Sequence, residues 1–277
     1  MKRVLSIQDI SCVGKCSLTV ALPIISAAGL ETAILPTAVL STHTAFKGFT
    51  FRDLTSDLLD ITKHWKNENI EFDAMYTGYL GSFEQIEICD KIFTDFKKDD
   101  NYVIIDPVMA DNGKLYPGFT QEFADQMAKL CKRADIVVPN LTEASFMLHE
   151  EYISEGYDEE YIKEKLKKLC ALGAKVSVLT GVSFEKGKLG VYAYDSQKDE
   201  FFSYYNKHLP VSFHGTGDIF ASALCGALTK YNDLKKALEI AVDYTVESIK
   251  VTLENPNHVS YGVEFENALP FLIDKIK

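Results

Sequence analysis

The sequence predicts an α/β protein: a single three-layer α/β/α domain on a mostly parallel central sheet with a few antiparallel edge strands. Three observations carry that prediction. Short apolar runs rich in Val, Ile and Tyr alternate with longer amphipathic ones, the order expected of βαβ crossovers and of a sheet covered on both faces. Near the C-terminal side the rhythm changes to two strand-like runs split by the polar turn Asp195-Ser-Gln-Lys-Asp199, which reads as an antiparallel hairpin. The 277 residues show no internal repeat, no low-complexity segment and no Pro/Gly/Ser linker, so residues 1–277 read as one domain.

Each element has a local reason. Strands are expected at Val4–Ile7, Thr32–Val39, Phe72–Thr77, Tyr102–Ile105, Ile136–Val138 and Val176–Thr180, several of them ended by Gly, Pro or Asp. Helices are expected between them, over 17–29, 53–67, 83–97, 120–131, 141–149 and 159–172. In the last of these Tyr161, Ile162, Leu166 and Leu169 share one face, with Lys and Glu opposite. The hairpin pairs Lys188–Tyr194 with Glu200–Tyr205, and three helices follow at 216–230, 234–253 and 263–276. Ligands of open parallel sheets bind outside the C-terminal strand ends. That directs attention to Gln8-Asp9, Ser41–Ala45, Gly78–Gly81, Asp106–Asp111, Asn140–Glu143 and Thr180-Gly181.

Composition excludes several function classes. With 47% hydrophobic, 25% charged and 12% aromatic residues, the chain is neither disordered, collagen-like nor a small disulfide scaffold. A net charge of −11 and scattered basic residues argue against a nucleic-acid partner. The six cysteines sit mostly among apolar neighbours, and Cys12 and Cys16 lack a second ligand pair for zinc. The N-terminus is broken by Gln8 and Asp9 before it reaches signal-peptide length, and no uncharged stretch is long enough to span a membrane. A cytoplasmic location is the expectation.

The sharpest motif is Gly215-Thr216-Gly217-Asp218, opening an apolar helix. Glycines let backbone N–H groups converge, and a helix N-terminus adds partial positive charge, giving an anion hole suited to a phosphoryl group in transfer. Asp218, in the first helical turn, is placed to accept a proton from an attacking hydroxyl. The competing reading is a glycine turn followed by a helix-stabilising acid. Phe220 stands where a dinucleotide fingerprint needs its third glycine, which argues against a nicotinamide-dependent oxidoreductase; Cys16 after Gly14-Lys15 spoils a P-loop. Asp106-Pro107 and Asn140-Leu-Thr-Glu143 each follow a strand, and their carboxylate and amide oxygens suit Mg²⁺. For Glu143 the ordinary alternative is a first-turn helix acid, and for Asp106 a turn residue before proline. His43 stands out among six histidines because it lies in the polar cluster Ser41-Thr-His-Thr44.

These stretches resemble a known group. Gly215–Asp218, Asp106-Pro-Val-Met and Pro139-Asn-Leu-Thr-Glu143, in this order and spacing, are similar to the ribokinase-like superfamily of small-molecule kinases. Leu5-Ser-Ile-Gln8, Leu40-Ser-Thr-His-Thr44 and Thr77-Gly-Tyr-Leu-Gly81 narrow the resemblance to the pyridoxal/pyridoxamine kinases, from residue 4 to about residue 230. The resemblance implies ATP-dependent phosphorylation of the hydroxymethyl group of a B6 vitamer, with Asp218 as base and Gly215–Gly217 as anion hole. It places Asp106 and Glu143 near Mg²⁺–ATP, Val138, Asn140 and Thr180 on the nucleotide side, and Asp111 near the phosphates. It places Thr44 and Tyr79 on the substrate side, Tyr79 as a ring-stacking wall. Cofactors so implied are ATP and Mg²⁺, with room for a monovalent cation such as K⁺; the implied assembly is a homodimer. One departure stands out: Asp9 follows Ile-Gln where pyridoxal kinases usually have a ring-bonding Ser. A carboxylate there could accept from a protonated ring nitrogen or a phenolic hydroxyl, favour an amine-bearing vitamer, or mark a different ring. The alternatives are a hydroxymethylpyrimidine kinase and, from another class, a nucleotide-binding sensor without catalysis.

Overall fold

The computed structural model describes residues 1–277. In chain order the elements are β1 (Arg3–Ser11), α1 (Leu18–Ala27), β2 (Glu31–Leu40), β3 (Phe51–Asp53), α2 (Thr55–Asn67), β4 (Ala74–Thr77), α3 (Phe83–Phe96), β5 (Tyr102–Ile105), β6 (Ala110–Asp111), β7 (Lys114–Leu115) and α4 (Gln121–Leu130). They continue with β8 (Ile136–Val137), α5 (Leu141–Leu148), α6 (Glu159–Ala171), β9 (Val176–Val182), β10 (Lys188–Asp195), β11 (Glu200–Lys207), α7 (Thr216–Tyr231), α8 (Leu234–Glu254) and α9 (Leu269–Ile276). The packing divides into two compact units, Met1–Gly78 with Leu209–Lys277, and Tyr79–His208.

In the first unit β1 pairs in parallel with β2 on one side and β4 on the other, and β3 closes the edge antiparallel to β2. β1–α1–β2 and the later crossover through α2 to β4 run in opposite directions from β1. The right-handed rule therefore puts α1 and α2 on opposite faces. α1 packs on α7, and α7 on α8. The core strand residues Val4, Leu5 and Ile7 are fully buried, as central parallel strands require. The register slips between Gln8 and Ile10, so β2 carries an extra residue opposite Asp9. Such a bulge re-aims side chains beside active sites.

In the second unit β5, β8 and β9 run parallel, and β10 and β11 add the antiparallel hairpin expected from sequence. The sheet is thus mostly parallel in the first unit and mixed in the second, and helices flank it in both. No helix is long and apolar enough to cross a membrane.

Four features differ from expectation. The helix expected from residue 53 starts at Thr55, because Phe51–Asp53 joins the sheet edge and the Asp53 carboxylate accepts from the Thr55 N–H at 2.7 Å. The tail helix expected over 263–276 is a 3₁₀ turn at Phe265–Ala268 followed by α9, with Pro270 starting the new helix where a missing N–H costs nothing. A small hairpin, β6–β7, turns at Asn112-Gly113, both at positive φ. The cysteines, most of them expected as small buried hydrophobes, divide evenly: Cys89, Cys131 and Cys225 are buried, Cys16 and Cys170 intermediate and Cys12 exposed.

Candidate active site

In the first unit the site is assembled from the end of β1, the turn into α1 and the N-terminus of α7. Gly215 is the N-cap of α7 with φ 81°, a left-handed conformation. A Cβ at Gly215 would lie 2.0 Å from the Lys15 carbonyl oxygen, so this loop sits directly on the β1–α1 turn. The first hydrogen bond of α7 runs from the Ile219 N–H to the Gly215 carbonyl, which leaves the preceding amides at an electropositive helix end. Thr216 Oγ1 turns back to the Phe213 carbonyl at 3.4 Å.

Asp218 is half-buried and lies beside the Ser17 backbone amide. Asp9 is buried, 6% exposed, with the Ser17 hydroxyl beside it. Loss of water pushes the Asp218 carboxyl up to about 7, the Asp9 charge adds to the rise, and the Ser17 amide opposes it. Burial likewise raises Asp9 above the usual carboxylate range, opposed by the nearby Ser17 hydroxyl and by its own backbone. Cys16 lies against the same pair. Burial first, then the charges of Asp218 and Asp9, push its thiol up to about 12, which makes it inert as a nucleophile.

The Ser41–Thr44 cluster is pinned beside this turn. The His43 N–H donates to the Val13 carbonyl at 2.8 Å, and a Cβ at Gly14 would lie 3.3 Å from the His43 Cβ. His43 Nδ1 accepts from the Ala45 N–H at 3.0 Å, so the ring proton is carried on Nε2. Its ring is 5.0 Å from that of His214, and burial followed by that neighbour lowers its pKa. Thr44 is exposed.

In the second unit the turn after β5 and the start of α5 lock together through Glu143. Its Oε1 accepts from the Met109 N–H at 3.2 Å and its Oε2 from the Asn140 N–H at 2.8 Å. The Asn140 side chain accepts in return from the Glu143 N–H at 2.9 Å, completing a capping box, and donates to the Ala110 carbonyl at 2.9 Å. Glu143 is 3% exposed, and burial pushes its carboxyl up to about 8. Asp106 is also buried, and Val138 is buried one residue past β8. Asn140 bridges to Thr180, whose N–H donates to the Pro139 carbonyl at 3.1 Å.

Sequence-expected residues thus gather in two sets. Asp9, Gly215, Thr216, Gly217 and Asp218 meet in the first, with His43 and Thr44 on the adjoining loop. Asp106, Val138, Asn140, Glu143 and Thr180 meet in the second. Asp111 is exposed and accepts from the Asn112 backbone and side-chain amides, both at 2.9 Å. Tyr79 packs its ring 5.5 Å from that of Phe119, which itself stacks on Phe123. No group of three or more His, Cys, Asp or Glu side chains is arranged to hold a metal ion. The donor set fits Mg²⁺ only as Mg²⁺ is commonly bound, by one carboxylate with waters and substrate phosphates: Asp106 suits that part, whereas both Glu143 oxygens are engaged by backbone donors. Sequence reading passed over Ser17, which is buried beside Asp9 and Asp218 with a positive φ of 51°; its position before a helix signals only an ordinary N-cap.

Known proteins resemble this chain in sequence and in fold. The profile of the phosphomethylpyrimidine kinase family matches residues 23–263. A pyridoxine kinase of Bacillus subtilis is 33% identical over 191 residues, 66% of each chain. A Bacteroides thetaiotaomicron structure, provisionally named a phosphomethylpyrimidine kinase and solved with pyridoxal, superposes with a TM-score of 0.91 at 39% identity, covering 98% of this chain and 95% of that one. The pyridoxal kinase of Lactobacillus plantarum gives a TM-score of 0.90 at 28% identity, covering 99% and 97%. The two sets of site residues therefore lie on a ribokinase-like fold, and the chain belongs to the phosphomethylpyrimidine kinase family as an ATP-dependent kinase of pyridoxal-kinase-like type.

Proposed function

We propose that this kinase transfers the γ-phosphoryl group of ATP to the hydroxymethyl group of a B6 vitamer, pyridoxal, pyridoxine or pyridoxamine. The observation that carries the reading is Asp218. Its carboxylate sits at the amide-lined start of α7, beside the Ser17 amide, and burial raises it to about 7, where a general base works best. In the reaction Asp218 takes the hydroxymethyl proton as that oxygen bonds to the γ-phosphorus. The bond from γ-phosphorus to the β–γ bridging oxygen breaks, and ADP leaves with that electron pair. The Gly215, Thr216 and Gly217 segment supplies amides for the charge on the transferring group.

On this reading Asp9, His43, Thr44 and Tyr79 face the vitamer, and Val138, Asn140, Thr180 and Asp111 serve the nucleotide. Asp106 would hold Mg²⁺ together with the ATP phosphates. The ion supplies charge neutralisation on the phosphates, while Glu143 shapes the turn that carries Asp106. Residues 1–277 acting as one kinase domain, a cytoplasmic location and a homodimer belong to the same proposal, on the resemblance.

A second reading, phosphorylation of hydroxymethylpyrimidine, is favoured by the family profile and by the name of the Bacteroides relative. ADP release measured with pyridoxal, pyridoxine, pyridoxamine and hydroxymethylpyrimidine separates the two. The proposal expects the highest kcat/KM with a B6 vitamer. Turnover confined to hydroxymethylpyrimidine would replace it with the second reading.

A further inference from the structure

The β6–β7 hairpin cannot hold its own position. Its strands, Ala110–Asp111 and Lys114–Leu115, are two residues each, too little pairing for a stable ribbon. Its turn, Asn112-Gly113, has φ 51° and 76°, as a type I′ turn requires. Such a turn closes between the residues that flank it, here the paired Asp111 and Lys114, and leaves the Gly113 N–H for an outside partner. The partner comes from α5: the Gly113 N–H donates to Thr142 Oγ1 at 3.0 Å. Thr142 is buried, so water does not compete for this bond. The Tyr152 ring closes on the same residue from the connection after α5, where a Cβ at Gly113 would lie 2.8 Å from Tyr152 Cδ1.

The base of the hairpin is held from the same helix start. Glu143 accepts from the Met109 N–H at 3.2 Å, and the Asn140 side chain donates to the Ala110 carbonyl at 2.9 Å. Three polar side chains at the start of α5 thus grip three backbone groups along the hairpin. Asn140 and Glu143 fix where it leaves β5; Thr142 fixes the tip, one residue from Asp111 on one side of the turn. The hairpin follows the C-terminal end of a parallel strand, where ligands of such sheets bind.

We infer that Thr142 is a positioning residue for the nucleotide, holding the tip of the hairpin so that Asp111 keeps one bearing on the ATP phosphates. The inference rests on the proposed nucleotide role of Asp111. It gives Thr142, which takes no part in the capping box, a task in that site.

Thr142→Val keeps the side-chain shape and removes the hydroxyl, so the Gly113 N–H must leave α5 to find water. Thr142→Ser keeps the hydroxyl. Hydrogen exchange by mass spectrometry over residues 109–117 reads the tie, and calorimetric titration with Mg²⁺–ATP, without vitamer, reads its consequence. Thr142→Val is expected to speed exchange over the hairpin and to weaken ATP binding, each about fivefold, the effect of one lost neutral hydrogen bond, with KM for pyridoxal unchanged. Thr142→Ser is expected to stay within about twofold of wild type in both readouts. Exchange at wild-type rates elsewhere in the chain establishes that the variants are folded. Unchanged exchange over the hairpin in Thr142→Val, wild-type ATP affinity in that variant, or an equal loss in Thr142→Ser overturns the inference. The reading beneath it fails separately: Asp111→Asn retaining wild-type ATP affinity removes Asp111 from the nucleotide site, whatever exchange over the hairpin shows.

Discussion

The pairing of Asp9 with Asp218 makes a quantitative claim about pH. The Asp218 carboxyl is pushed from 3.8 to about 7, chiefly by burial and further by the Asp9 charge. At 1.36 kcal/mol per pK unit, that favours the neutral acid by at most about 4 kcal/mol, a ceiling because the half-buried carboxyl retains some water. A base must be ionised, so kcat/KM should fall on the acid side with an apparent pKa near 7. At pH 6 about one tenth of Asp218 would be ready to accept a proton. Asp9→Asn deletes the like charge and should lower that pKa by about 1 unit. The variant's kcat/KM at pH 6, relative to its own alkaline plateau, should then be about fivefold higher than wild type's on the same scale. Initial rates of ADP release with pyridoxal, between about pH 5 and 9, measure both profiles, and ionisation of the substrate cancels in the comparison. Superimposable normalised profiles, or an acid limb near the ordinary carboxylate pKa, would refute the coupling.

Other outcomes follow from the same geometry. Asp218→Asn should stabilise the fold: a raised folded pKa costs stability progressively as pH climbs from about 4 to 7, and the full cost applies above that, so the variant should melt a few degrees higher at pH 8 and show no gain near pH 4. Differential scanning calorimetry at the two pH values checks this. Glu143→Ala strands the amides of Met109 and Asn140, which at about 1–3 kcal/mol each should lower the unfolding free energy by about 2–4 kcal/mol in urea melts and raise KM for ATP several-fold. Gly215→Ala puts a Cβ 2.0 Å from the Lys15 carbonyl oxygen at φ 81°; a loss of at least about 2 kcal/mol in urea melts and a fall in kcat of about tenfold or more are expected.

Much of the fold could be read from the chain because buried parallel strands and amphipathic helices have strong periods. Val4–Ile7, Tyr102–Ile105 and Val176–Thr180 are apolar and end in polar turn residues, and the structure places strands over all three. What failed was short or irregular. Phe51–Asp53 is three exposed residues, too few for any period, and only pairing with Ala38–Leu40 makes it a strand. Asn112-Gly113 is a hairpin signal, but its flanking strands are two residues each, below what alternation can reveal. At the site, Asp218 and Asn140–Glu143 were legible from turn chemistry: Gly-Thr-Gly before a helix, and Asn with Glu three residues on. That Glu143 spends both oxygens on backbone amides depends on Met109, 34 residues away, which sequence order alone does not bring near. Ser17 was illegible because its positive φ and its place beside Asp9 and Asp218 leave no mark in the sequence.

The account stands on Asp218 as the proton acceptor, and turnover of Asp218→Ala with pyridoxal and saturating Mg²⁺–ATP tests it most directly. With nucleotide binding measured in parallel by calorimetry, the account predicts a fall in kcat of about 10²–10⁴-fold and ATP affinity close to wild type. Near-wild-type kcat in a folded Asp218→Ala protein would contradict it.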